Sequence, residues 1–147
     1  MASSDISGQG AQPAHPLGVA LMDDDHARLE ELIGQAPVAA DADLPALHEA
    51  IVRELEAHFS REEDLMRAHD FPGLHCHMAQ HRFLVEEARR PAAGESSALR
   101  HYIAVHIAQL VESHVLTLDS ITAAFIRGEF SSANFDNLRL PVEPARP

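Results

Sequence analysis

Seven side chains that can ligate a metal recur at helical spacing along this chain. They are His26, His58, Glu62, His77, His81, His114 and Asp119. Six of the seven fall on the apolar stripe of a predicted helix. Burying a polar group there without a partner costs roughly 2–7 kcal/mol, and burying a charge costs more. Because that cost is repeated within one core, the pattern predicts a bound metal.

Two pairs of these residues are spaced four apart. His58 and Glu62 form one pair, and His77 and His81 form the other. This spacing stacks two side chains on one helix face with their Cβ atoms about 5–6 Å apart. Each pair can therefore share one metal ion or hold two neighbouring ions.

The remaining three predicted ligands lie on the first and last predicted helices. His26 and His114 occupy the inward seam of those helices. Asp119 lies five residues beyond His114, which is about 140° around an ideal α-helix. It can join the others by the reach of its side chain or through a local distortion such as a π-bulge, and the spacing alone does not choose between these.

The donor set favours iron over a single zinc ion. Imidazole suits iron, zinc or copper, and a carboxylate can bridge two ions. Five histidines exceed what one tetrahedral zinc would use. Three histidines on one iron and two on the other would leave an open coordination position on the second. The carboxylate-rich di-iron bundles typically carry E-x-x-H motifs. This chain has none.

The elements that must position these residues are helices. Apolar residues recur every three or four positions in four segments, and no alternating strand pattern is present. We predict an all-α, antiparallel up-down-up-down four-helix bundle. Its helices are expected at 17–35, 44–69, 74–90 and 98–127. The bundle, residues 17–127, would follow a flexible N-terminal arm at 1–16 and precede a C-terminal tail at 128–147.

Composition narrows the partners. The net charge is −12, which argues against binding nucleic acid or an anionic membrane surface. One cysteine excludes a disulfide framework. The N-terminus has no signal-like apolar segment, and no run of about 18 apolar residues occurs. We expect a cytoplasmic monomer or weak oligomer whose protein partner is unknown.

Four segments resemble the hemerythrins, and specifically the single-domain bacterial ones. DDDH at 23–26 is similar to the family's D-x-Q-H start, and HFSREEDLM at 58–66 to its H-F-x-x-E-E-x-x-M block. FPGLHCHMAQHRF at 71–83 resembles Y-P-x(4)-H-x(3)-H-x-F, and SHVLTLD at 113–119 resembles H-I-x(3)-D. The resemblance spans about residues 17–127, most of the chain.

The resemblance implies a non-heme di-iron centre, with an oxo or hydroxo bridge, that binds dioxygen reversibly. One iron would take His77, His81 and His114, the other would take His26 and His58, and Glu62 and Asp119 would bridge both. The implied protein is an oxygen carrier, store or sensor and not an enzyme. The alternatives are a di-iron enzyme acting on peroxide or nitric oxide, and a module for iron storage or partner-linked sensing.

Three departures from the family pattern change the surroundings of the ligands. Asp25 stands where glutamine is usual beside the first histidine, and Phe71 replaces a tyrosine. Leu110 stands where many bacterial relatives carry tryptophan, one turn before His114. We therefore predict that Leu110 contacts the oxygen pocket. These changes are expected to alter oxygen affinity and resistance to autoxidation without touching the ligands.

Overall fold

The computed structural model describes residues 11–90, 95–129 and 131. Four long helices make up this part of the chain, which contains no strand. They are α1 (Ala20–Gly34), α2 (Leu44–Ala68), α3 (Leu74–Arg89) and α4 (residues 96–126). The predicted all-α four-helix bundle is confirmed, with helix ends close to those expected. Residues 1–10 of the predicted arm, and residues 130 and 132–147 of the predicted tail, lie outside the described residues.

Short links connect the helices, so consecutive helices run antiparallel. The link between α1 and α2 includes one 3₁₀ turn, Asp41–Asp43. Between α2 and α3 the chain turns at Asp70, whose φ of 51° lies in the left-handed region that aspartate tolerates. Phe71 follows, buried, with its N–H bonded to the Met66 carbonyl at 3.0 Å. This tight turn fixes how α3 faces α2.

The fourth helix is not a uniform α-helix. It contains two π-helical segments, Tyr102–Ile107 and Val115–Asp119, separated by the α-helical turns Ala108–His114. A π-turn closes its backbone hydrogen bonds over five residues instead of four. Each segment therefore changes which face the following residues present to the bundle.

Two apolar clusters lie on either side of a buried polar layer. The larger cluster fills one end of the bundle with residues such as Leu29, Ile51, Leu55 and Ile107. The smaller cluster contains Leu17, Met22, Val115 and Ala123. Apolar burial stabilises both ends at about 25 cal/mol per Å². The histidines and acids predicted from the sequence occupy the layer between them. Within the described residues, none of the helices is both long and apolar enough to cross a membrane.

Candidate metal centre

All four helices contribute to the buried polar layer at the middle of the bundle. The seven predicted ligands are 4% exposed or less. They are His26 from α1, His58 and Glu62 from α2, His77 and His81 from α3, and His114 and Asp119 from α4. Their donor atoms form two overlapping groups, in each of which the atoms lie within 4.8 Å of one another. The fold thus brings together every residue of the predicted set.

The carboxylate of Glu62 faces two sides. Its Oε1 lies 2.7 Å from Nε2 of His77 and 3.2 Å from Nε2 of His81. The same oxygen is 3.9 Å from Nε2 of His114. Its Oε2 lies 3.0 Å from Nε2 of His58. We call His77, His81 and His114 the histidine trio.

Asp119 is oriented in the same way. Its Oδ1 lies 2.9 Å from Nε2 of His77 and 3.0 Å from Nε2 of His114. Its Oδ2 lies 3.0 Å from Nε2 of His26. We call His26 and His58 the histidine pair. Each carboxylate therefore directs one oxygen to the trio and the other to the pair, which is the arrangement a bridging ligand needs.

The second π-helical segment explains how Asp119 reaches the site. Val115–Asp119 is π-helical, and a π-turn places a residue above the one five positions earlier. Asp119 therefore shares the inward face with His114 despite their five-residue spacing. Ser120 supports the segment because its hydroxyl donates to the Val115 carbonyl at 2.9 Å. Of the two routes left open by the sequence, the structure shows the helix distortion.

The pattern of unpaired atoms fits a metal. Seven buried side-chain atoms in the described part of the chain have no hydrogen-bond partner, and all belong to the predicted ligands. They are His26 Nδ1 and Nε2, His58 Nε2, Glu62 Oε2, His114 Nδ1, and Asp119 Oδ1 and Oδ2. Several approach an opposite charge at 3.0 Å without hydrogen-bond angles. Unpaired buried polar groups are costly, and a cation between the converging atoms would remove most of that cost.

Without a metal, protons must hold these charges together. Burial opposes ionisation of Asp119, as does the neighbouring Glu62 charge, but contacts with His114 and His26 lower its pKa to about 2. Burial also opposes charge on His58, yet the hydrogen bond to Asp25 and the close contact with the Glu62 carboxylate raise its pKa to about 10.

Burial and charged neighbours also have opposing effects on the pKa values of other ligands. Burial disfavours the Glu62 charge, but the nearby His114 and the other histidines around it hold its pKa well below the ordinary value. Burial opposes the charge on His114 too, and Asp119 raises its pKa to about 9. In His81, burial prevails and lowers the pKa. Metal ligation needs neutral histidines, so a metal ion must displace protons from His58 and His114.

Three ligands have their outer ring nitrogen held by a neighbour. Nδ1 of His77 donates to the Thr122 hydroxyl at 2.8 Å, and that hydroxyl donates to the Leu118 carbonyl at 2.9 Å. His81 Nδ1 contacts Glu63 Oε1 at 3.0 Å. Because Nδ1 carries the proton, Nε2 is free to bind a metal. Sequence reasoning missed Thr122, which lies one helical turn beyond Leu118.

The third supporting contact belongs to His58. Its Nδ1 donates to Asp25 Oδ2 at 2.9 Å. Asp25 is 1% exposed. Arg61 donates to both of its oxygens at 3.0 Å. The sequence marked Asp25 as a departure beside the site, but it gave no sign that Arg61 on α2 would neutralise it.

Two separate cavities share lining residues around His26. A small void of about 10 Å³ lies against the histidine pair, His114 and Asp119. A larger, mostly apolar cavity of about 280 Å³ opens between α1 and α4. Both are lined by His26, Val111 and Val115. These two valines therefore stand between the outer cavity and the site.

Leu110 occupies a different position from these valines. It is half-buried and packs against the larger apolar cluster. Val111, one residue along, faces both cavities. The contact of Leu110 with an oxygen pocket stays a prediction.

The outer cavity is partly walled by residues before α1. Ala14 and His15 line it. The Ala14 N–H donates to the Glu30 carboxylate at 3.0 Å, and His15 Nε2 lies 3.3 Å from Glu112 Oε1. Glu30 is on α1 and Glu112 on α4, so this segment crosses between the two helices at the cavity mouth.

Comparisons with known proteins agree with this geometry. Residues 17–124 match the family model for the hemerythrin HHE cation binding domain. The chain is 32% identical over 113 residues to a bacteriohemerythrin of Ralstonia nicotianae (strain ATCC BAA-1114 / GMI1000). That match covers 75% of this chain and 82% of the relative. No solved structure gave a significant match. A bundle whose four helices converge on buried histidines and acids, together with these matches, establishes that the chain belongs to the hemerythrin family.

Proposed function

We propose that this protein binds dioxygen reversibly at a pair of non-heme iron ions and serves as an oxygen carrier, store or sensor. The observation that carries the proposal is the double orientation of Glu62 and Asp119. Each carboxylate presents one oxygen to the histidine trio and one to the histidine pair. Imidazole and carboxylate donors suit iron. When bound, two ferrous ions would supply the two electrons that dioxygen binding uses.

The unequal number of histidines supports a binding position for a small ligand. The trio offers three imidazoles and the pair offers two, while both share the same two carboxylates. An ion held by the pair therefore has one protein ligand fewer. The void of about 10 Å³ lies on this side, against His26 and His58. A void of that size is close to one water molecule, which suits a diatomic ligand.

The outer cavity supports the choice of a small apolar ligand. Its volume is about 280 Å³, and its wall includes Ile33, Ala108, Val111 and Val115. Apolar walls favour dioxygen over charged solutes because burying a charge there is costly. The cavity reaches His26, so it would give dioxygen a path to the histidine pair.

The test is an oxygen cycle on protein reconstituted with ferrous iron in the absence of air. We expect two irons per chain and a visible absorption band that grows on exposure to oxygen and vanishes on its removal. Glu62→Gln, which removes the shared charge, is the control and should show no band. Two bound irons with no reversible change in absorption would contradict the proposal.

The same sample separates a binding protein from an enzyme acting on peroxide or nitric oxide. The chain has one cysteine, Cys76, which is exposed and has no second cysteine to act with in electron delivery. We therefore expect the two electrons of a ferrous pair to consume at most one hydrogen peroxide or two nitric oxide molecules per site, with no steady-state turnover beyond that. Sustained turnover would favour the enzyme.

A further inference from the structure

A cluster of ion pairs, in which Asp25 is buried and its arginine partners are partly exposed, stands behind one member of the histidine pair. Asp25 Oδ2 accepts a hydrogen bond from His58 Nδ1 at 2.9 Å. Arg61 donates to Asp25 through Nε and Nη2, both at 3.0 Å, and Arg28 also donates to Oδ1. Glu54 accepts from Arg61 at 3.1 Å and from Arg28 at 3.3 Å. Two acids and two arginines therefore balance in charge beside the site.

No other ligand has this support. His77 Nδ1 has a neutral hydroxyl as its partner, and His81 has Glu63, a carboxylate that is 20% exposed. His26 Nδ1 and His114 Nδ1 have no partner among the described residues. The carboxylate of Asp25 is almost completely buried, so solvent weakens its contact with His58 very little. Arg28 and Arg61 both contact that charge, so the carboxylate keeps one cationic partner when the other is replaced, and an unpaired buried carboxylate, which would be costly, is avoided.

The geometry of His58 follows from this contact. With its proton held on Nδ1 by Asp25, the ring can present only Nε2 to the centre. Nε2 lies 3.0 Å from Glu62 Oε2, on the side of the histidine pair. A carboxylate that accepts from a ligating histidine also makes the opposite nitrogen a stronger donor. The side with fewer histidines thus contains the one ligand that is strengthened by a buried charge.

We propose that Asp25 is a positioning residue that strengthens metal binding at the histidine pair, and that Arg61 limits this effect. This rests on the proposed two-metal site but not on dioxygen binding. Asp25 aims His58 and increases its donor strength, which offsets the missing third histidine. Arg61 withdraws part of that negative charge and places a positive charge near the metal, so it acts in the opposite direction.

The test is an anaerobic titration of the metal-free protein with Co²⁺, in which calorimetry measures each binding step. Wild type should bind two ions, and His26→Ala identifies the step that belongs to the pair. Asp25→Asn should weaken that step by about 10–100-fold, as loss of a ligand's hydrogen-bond partner does. Arg61→Gln should strengthen it. Glu63→Gln is the matched control and should weaken only the step that belongs to the trio.

Asp25→Asn should lower the metal affinity of the pair step and Arg61→Gln should raise it, and these opposite changes separate a positioning role from structural damage. A variant that merely loosened the bundle would weaken both steps, and thermal unfolding of the metal-free proteins would reveal it. Equal affinities for wild type and Asp25→Asn would overturn the inference, as would weakening of the pair step in Arg61→Gln. If the wild type failed to bind two ions, both the proposed two-metal site and this inference would be wrong.

Discussion

The two halves of the centre share their carboxylates but differ in what lies behind them. The members of the trio pack closely against one another, and the Nε2 atoms of His77 and His114 lie 3.1 Å apart. Phe59 stacks on His81 with ring centroids 4.0 Å apart. The surface groove that reaches His81 is lined with charged residues such as Glu56, Arg82 and Glu86.

The histidine pair faces a different environment. The wall of its outer cavity is mostly apolar, and its one supporting carboxylate is buried. A side with three histidines and close packing favours holding an ion. A side with two histidines, a void and an apolar path favours admitting a small ligand. Under the proposed function, the bundle therefore divides ion retention and ligand access between two faces of one carboxylate layer.

The largest effect should come from removing what the two halves share. Glu62→Ala deletes the oxygens that face both His77 and His58, so neither half keeps its ligand set. We expect loss of both metals, with affinity lower by more than about 100-fold, since even an outer partner contributes about 10–100-fold. At a metal concentration 100 times the dissociation constant, each bound ion adds about 2.7 kcal/mol to wild-type stability.

The measurement is thermal unfolding with and without metal. In wild type the metal should raise the melting temperature by roughly 5–10 °C for each bound ion, and in Glu62→Ala by nothing measurable. Glu63→Ala, one residue away on the same helix, is the control and should keep most of the rise. A full rise in Glu62→Ala would mean that the carboxylate does not bridge.

Breaking one half at a time should give unequal results. His26→Ala leaves the trio and both carboxylates, so one metal per chain should remain. His77→Ala removes the side chain that touches Glu62 at 2.7 Å and Asp119 at 2.9 Å. It should therefore remove the tight site and leave at most one weakly held ion. Metal analysis after desalting distinguishes them, and two retained metals in His77→Ala would contradict the ligand assignment.

Sequence periodicity was sufficient to predict the bundle and to bring the ligands into one layer. His58 and Glu62, like His77 and His81, are four residues apart, and this spacing fixes their shared face whatever the packing. Asp119 was different because α- and π-helical turns place a residue five positions on in different directions. Nothing in the residue types of SHVLTLD favours an α-helical over a π-helical turn, so only the tertiary structure showed which of the two occurs.

The surroundings of the ligands were harder to predict. Thr122 reaches His77 from another helix, and Arg61 reaches Asp25 across the α1–α2 interface. Such contacts join residues 45 and 36 positions apart in sequence, and they depend on the rotation of each helix. The same uncertainty affects Leu110 and Val111, since neighbours on a helix point about 100° apart.

A rise in pH should lower the stability of the metal-free protein and raise its affinity for metal. His58 and His114 have their pKa raised from 6.5 to about 10 and about 9. The stability that their protonated forms contribute to the metal-free protein is complete below pH 6.5 and lost as the pH rises through 9 to 10. Metal binding needs these protons to leave, so its affinity should rise over the same window.

Unfolding of the metal-free protein and Co²⁺ titration, both from pH 6 to 10, test this. The melting temperature of the metal-free protein should fall while the affinity rises about tenfold per pH unit for each proton displaced. His114→Gln removes one of the two titrating groups and should flatten the fall. A melting temperature that rises with pH would show that the histidines are not held protonated.

The smallest expected effect concerns the path to the histidine pair. Val111 lines both cavities and is partly exposed toward the outer one, so Val111→Phe can extend into open space and narrow the route. Leu110→Phe is the matched comparison, because the sequence-based prediction gave that position the same role. Metal content should be unchanged in both. We expect Val111→Phe to slow dioxygen association roughly tenfold, a barrier higher by about 1.4 kcal/mol, and Leu110→Phe to change it much less. Stopped-flow mixing of the ferrous protein with dioxygen measures both rates. A slower Leu110→Phe beside an unaffected Val111→Phe would place the route on the other side of α4 and separate it from the cavity at His26.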